Sequence, residues 1–98
     1  MSWVVWKSEI KIIRHAQEVT LPKGARILTA QMQGLSLCLW SIVNSDAHEE
    51  QRTIRVYGTG HPIAPPDTLA DDPLSTLRYI ATVQDHAGFV WHVFEVLT

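Results

Sequence analysis

The run Gly58-Thr59-Gly60-His61-Pro62 holds the most chemistry in the fewest residues of this 98-residue chain. Two glycines allow successive backbone N–H groups to converge into a nest for an anion or phosphate. The run lacks the six-position glycine pattern of dinucleotide folds and the Gly-Lys-Ser/Thr of phosphate loops. The plainer alternative is a sharp turn as a strand leaves its sheet. An unperturbed imidazole titrates near neutrality, so a histidine at 61 could serve as a general acid or base. Pro62 restricts the His61 backbone to extended conformations, which could fix the ring in place. The plainer role is a loop histidine bonding a carbonyl. Arg55 stands a few residues upstream as a second polar contact.

The remaining reactive residue types assemble less well. His86 and His92, with Asp85, have no standard zinc spacing, and Cys38 alone cannot complete a thiolate site. Cys38 sits in an apolar run without a neighbouring base, the setting of an inert buried thiol. Asp71 and Asp72 could pair as carboxylates or bind a cation, but adjacent acids in a Pro-rich loop are ordinarily solvated. A hydrolase built on His61 and a carboxylate lacks a nucleophile, a base and an orienting group that could be named together. No catalytic residue, metal or cofactor is therefore expected. Large rings anchor both cores and interfaces, and the chain has four tryptophans. Trp6 shares a face with Val4, Ile10 and Ile12 and belongs to the core, as do Trp40 and Phe94. Trp3 and Trp91 fall on the opposite phase from their nearest core candidates. The candidate ligand- or partner-binding set is thus Arg55, Gly58, Thr59, Gly60, His61, Trp3 and Trp91.

The elements that must carry these residues are strands. Residues 2–14 alternate apolar Val4, Trp6, Ile10 and Ile12 with Lys7, Glu9 and Lys11, a period of two. Residues 18–21 repeat the pattern briefly, and Pro22-Lys23-Gly24-Ala25 is a turn. Residues 26–33 form a strand ending at Gln33-Gly34, a short hairpin signal. Residues 35–43 and 89–97 are apolar on odd and even positions alike, as expected of strands covered on both faces. Residues 44–51 read as a polar, acidic loop. Residues 52–58 point Ile54 and Val56 inward and Thr53, Arg55 and Tyr57 to the other face.

The connection 59–76 holds four of the five prolines, with a short helical turn predicted from Asp72 or Pro73 to Leu77. Loops of this length in compact domains are often functional. Residues 77–84 form the next strand, and Asp85-His86-Ala87-Gly88 turns the chain into the last one. The prediction is one all-β domain over residues 1–98. It has about seven mainly antiparallel strands in a two-layer sandwich or partly closed barrel, with a long Pro-rich loop at 59–76.

Composition narrows the function. Apolar residues at 46% and charged residues at 18% describe a globular chain. A formal net charge of -2 argues against sequence-independent nucleic-acid binding, which needs a basic stripe to release phosphate counterions. It likewise gives no support for anionic membranes. One cysteine excludes an intrachain disulfide and fits a reducing compartment. No run approaches the ~20 apolar residues of a membrane span. Trp3-Val4-Val5-Trp6 is broken by Lys7 and Glu9, so a signal peptide is not expected and the chain reads as cytoplasmic. The surplus of apolar surface on the two doubly apolar strands predicts a homodimer.

Four ordered motifs span nearly the whole chain. They are Pro22-Lys23-Gly24-Ala25-x-Ile27-Leu28, Leu37-Cys38-Leu39-Trp40-x-x-Val43, Gly58-Thr59-Gly60-His61-Pro62-Ile63 and Phe89-Val90-Trp91-His92-Val93-Phe94-Glu95. In these the chain resembles a family of small uncharacterised proteins encoded by bacteriophages and prophages. The resemblance implies a phage or prophage origin and brings no catalytic or binding residues with it. The expected function is a non-enzymatic accessory protein that binds a host or phage macromolecule in the host cytoplasm, with inhibition of a host defence system as its setting. A binder of a small phosphorylated, nucleotide-like ligand and a minor virion component are the alternatives.

Overall fold

The structure is a computed structural model that describes residues 2–65, 68 and 71–97. Among these residues the chain forms seven strands: β1 (Trp3–Ile10), β2 (Gln17–Pro22), β3 (Arg26–Gln33), β4 (Ser36–Asn44), β5 (Glu49–Gly58), β6 (Leu77–Gln84) and β7 (Val90–Val96). A single 3-10 turn, Pro73–Ser75, precedes β6; the Asp72 carboxylate caps it by accepting from the Leu74 N–H at 3.0 Å. One sheet has the order β1-β4-β3 and the other β2-β5-β7-β6, with every pair antiparallel. The all-β, two-layer architecture follows from the period of two, and the sheets remain open rather than closing into a barrel.

The core lies between the sheets. Leu37, Leu39, Ser41 and Val43 alternate inward along β4 and are all buried. Val19, Leu21, Ile54, Val56, Ala81, Val83 and Val93 oppose them from the second sheet. Bulges at Leu28 in β3 and Ile80 in β6 reset the alternation, so Ile27 and Ala30 point inward although they differ in parity. One end of the core is polar. The Arg52 guanidinium forms a bidentate pair with the buried Glu95 carboxylate and donates a further bond to the Ala25 carbonyl at 2.7 Å. That last bond joins the second sheet to the chain entering the first. The hydrogen bond that the Arg52 guanidinium donates to Glu95 is the main reason the Arg52 pKa is raised, against the opposing effect of burial.

Several expectations are revised. β1 stops at Ile10, because Lys11 leaves the ladder and its backbone bonds the Gln17 side chain at 2.8 and 2.6 Å. The polar stretch after β4 is shorter than expected, since β5 already begins at Glu49, opposite Pro22. Trp40 and Phe94 are half-buried on the outer faces of their sheets, where they share a phase with Ile42 and Val96. Trp91 shares the inner phase of Val93 and Glu95 and packs against the core.

β5 and β6 both pair antiparallel with β7 and so run parallel to each other. The connection between them must therefore travel the length of the sheet. The core occupies the inner face. Tyr57 and Leu77, at opposite ends of the outer face, are buried, as is Thr68 within the connection. Residues 66, 67, 69 and 70, which include Pro66 and Leu69, lie outside the described residues.

Ser41 sits between Trp6 and Ile27 on the inner face, and its buried hydroxyl has no hydrogen-bond partner among the described residues. Ser41→Ala should leave stability unchanged or raise it by about 1 kcal/mol, because a desolvated, unpaired hydroxyl is removed. Leu39→Ala, two positions along the same face, should cost about 2–5 kcal/mol through lost burial and cavity formation. Urea unfolding of both variants checks the contrast, and a comparable loss in Ser41→Ala would mean that its hydroxyl is bonded.

Candidate functional site

At one end of the sandwich three connections converge: residues 11–16 after β1, the turn at 58–61 after β5, and the turn at 85–89 before β7. The 58–61 turn is built on glycine. The His61 N–H donates to the Gly58 carbonyl at 3.0 Å, and Gly60 takes a φ of +87°, where glycine is unstrained. The His61 ring folds back over Gly58, whose N–H donates to Nδ1 at 3.2 Å. A Cβ on Gly58 would lie 2.7 Å from the ring, so this approach requires glycine. With Nδ1 accepting, the proton of the neutral ring falls to Nε2.

The ring stands edge-on to Trp91, with centroids 6.3 Å apart. Trp91 is itself fixed, because its indole N–H donates to Asp85 at 3.0 Å. The other Asp85 oxygen accepts the backbone N–H groups of Ala87 and Phe89, at 3.0 and 2.9 Å. The indole bond is the largest of the effects holding the Asp85 carboxyl below the ordinary carboxylate range; the two backbone bonds and nearby His86 add to it. On the outer face, His92 is held between two hydroxyls, Thr59 at 2.7 Å from Nε2 and Thr82 at 3.1 Å from Nδ1. Tyr79 extends this chain through a 2.8 Å contact to Thr82. The Arg55 guanidinium lies 4.6 Å over the Tyr57 ring and donates to the Arg14 carbonyl, tying residues 11–16 to β5.

Shallow grooves run together around His61. One, of about 190 Å³, lies between Arg14, Arg55, Tyr57 and Pro62. It continues past His15 and Pro65 on one side, and past Ile12, Phe89 and Trp91 on the other. Sites that enclose a drug-sized ligand hold roughly 300–1,000 Å³ and bury most of its surface. The first groove is smaller than that, while the two beside it, of about 460 and 350 Å³, fall within the range but are open to solvent. Their wall carries cationic groups at one end and aromatic rings at the other.

Of the seven residues singled out from sequence, six gather here: Arg55, Gly58, Thr59, Gly60, His61 and Trp91. Trp3 does not, for it lies at the far end of β1, about 23 Å from Ile10 at the usual rise per strand residue. The Gly58 N–H that a phosphate nest would need is directed at His61 instead. Sequence reasoning missed Arg14, Tyr57 and Phe89, and weighed Asp85 only as a metal ligand beside His86 and His92. The doublet Ile12-Ile13, which breaks the period of two, was the one signal that the strand had ended before Arg14. Among the described residues no group of three or more His, Cys, Asp or Glu side chains could hold a metal ion. No helix there is long and apolar enough to cross a membrane.

Fold and site together define a small antiparallel β-sandwich with a grooved end of mixed cationic and aromatic character. The chain belongs to the family DUF7352, a domain of unknown function, whose family model matches residues 1–98. No curated protein and no solved structure matches it.

The depressed Asp85 pKa gives the 85–89 turn a pH dependence. The stabilisation is present above the ordinary titration range of an aspartate and is lost as pH falls through the lowered value in the folded protein. Trp91 indole N–H resonances should accordingly shift at a pH below that of a free aspartate. Asp85→Asn should abolish the shift; its persistence would assign it to another group.

Proposed function

We propose that this protein is a non-enzymatic binding module of phage or prophage origin that engages a host or phage protein through the grooved end around His61. The setting is the host cytoplasm, where blocking a defence component is the role such a module fills. The continuous channel from Arg14 and His15 to Phe89 and Trp91 carries this reading. An open channel with a cationic end and an aromatic end suits an extended polypeptide segment presenting an acidic group and an apolar side chain. A compact small molecule would be left largely in water there. The rings are also rigid at little entropic cost: Trp91 is locked by Asp85 and His61 by Gly58. Preorganised aromatic anchors of this kind characterise binding hot spots. The small phosphorylated ligand is less well served, because the Gly58 N–H is already used within the turn.

Arg14 is the residue to test. It is exposed, and among the described residues no partner bonds its guanidinium. Arg14→Glu should therefore fold normally and lose the partner, with capture from infected-cell lysate reduced at least about tenfold, as reversing a charge at an interface commonly costs several kcal/mol. Trp3→Ser should retain capture. The opposite pattern would place the binding surface on the outer face of the first sheet.

A further inference from the structure

We propose that the free edge of β1 is a self-association surface on which a second copy of this chain docks antiparallel about a two-fold axis at Val5. The two three-stranded sheets would then join into one of six strands. Exposed strand edges are ready templates for further pairing, and proteins ordinarily blunt them with bulges, prolines or a covering segment. Three of the four edge strands here are so treated. β3 and β6 are bulged and lie beside each other, and β2 ends in Pro22. β1 is eight residues long, has no proline, and pairs with β4 in unbroken register from Trp3 to Ile10.

The backbone of β1 shows which groups are unused. The Ser45 N–H donates to the Ser2 carbonyl at 2.8 Å, and Ser2 stands opposite Ser45 in the register. Even positions of β1 therefore exchange bonds with β4, and odd positions direct their N–H and C=O groups away from it. Lys11 obeys the same parity, and there the side chain of Gln17 takes up both outward groups. No such cap stands beside Trp3, Val5 and Lys7 among the described residues. Side chains tell the same story. Ile10 is buried beside β2, whereas Trp3, Val4 and Val5 are 52%, 43% and 60% exposed. Three consecutive large apolar residues left in water are unusual on a monomer.

Symmetry and charge select the register. A two-fold at Lys7 would set Lys7 against its own copy, a like-charge pair directly across the ladder. A two-fold at Ser8 would run the partner into the Gln17 cap at Lys11. A two-fold at Val5 avoids both. It sets Val5 against Val5 of the second copy, with Trp3 against Lys7 and Val4 against Trp6. Every outward backbone group from Trp3 to Lys7 then gains a partner, and the apolar stem of Lys7, whose ammonium donates to the Gln33 side chain at 2.7 Å, lies beside Trp3 of the other copy on each side of the axis. The occupant is a second copy because this stretch is complementary to itself in that register.

Light scattering at high micromolar concentration should return twice the 11.1 kDa chain mass. In a Cys38→Ala background, Val5→Cys should oxidise to a covalent dimer, because facing hydrogen-bonded positions lie about 5.5 Å apart at Cα, within disulfide reach. Val4→Cys, which opposes Trp6 on the other face, should not. Val5→Pro removes an N–H that β4 does not use and should give a folded monomer by circular dichroism. Val5→Lys, which keeps the N–H and sets two charges face to face, should do the same if proline proves too disruptive. A monomer mass for the wild-type chain would overturn the proposal, including the case in which β1 accepts a strand of another protein. A Val5→Lys variant that stays dimeric would also overturn it, as would a wild-type dimer that Val5→Cys fails to cross-link.

Discussion

β5 and β6 run parallel on either side of β7, and most of what is particular to this sandwich follows from that. Antiparallel neighbours can be joined by a tight turn, but parallel strands with a third between them need a connection as long as the sheet. The 59–76 segment is that connection. It must leave β5 sharply, which sets glycine at 58 and 60 and folds the His61 ring onto the turn. On the outer face of the second sheet Tyr57 and Leu77 are buried, where an open sheet would be polar. The grooved end exists because the chain departs there, between the 11–16 link and the 85–89 turn.

The two ends of the core are closed differently. At the end away from His61, a charged pair does the work of side-chain packing. Glu95 is buried and Arg52 nearly so, and the guanidinium reaches the Ala25 carbonyl, just ahead of β3 in the other sheet. Removing one member of a buried pair leaves the other charge desolvated and is more damaging than never having had the pair. At the grooved end the closing side chains are rings: Trp91 held by Asp85, and His61 held by Gly58. Locked rings keep the channel walls in shape without a ligand.

Edges are the other constraint on so thin a molecule, which measures only 16 Å across its shortest axis. Bulges at Leu28 and Ile80 twist β3 and β6 where the two sheets approach. The Gln17 side chain seals the edge backbone at Lys11. Among the described residues β1 beyond that cap has no comparable protection, and its apolar residues stand on both faces.

Much of this was legible in the residues. Period-two alternation in β1 and β5 determines an all-β chain and the inward set Trp6, Ile10, Ile54 and Val56 without reference to any partner strand. Gly58-Thr59-Gly60 determines a sharp exit, because only glycine takes a φ of +87° at no cost. Asp72-Pro73 likewise determines the short capped turn. The sequence could not say which face of a doubly apolar strand was the core. Trp40 and Phe94 look like core residues in isolation, and Trp91 looks like a surface one. Phase relative to the opposing sheet decides, and at Leu28 and Ile80 a bulge resets that phase. Nor could it bring Arg14 and Asp85 to His61 across the chain, since neither is its neighbour in sequence. Local propensity is a property of a few adjacent residues. Strand order, bulge position and the meeting of three connections at one end are decided by long-range pairing, and only the tertiary structure holds that information.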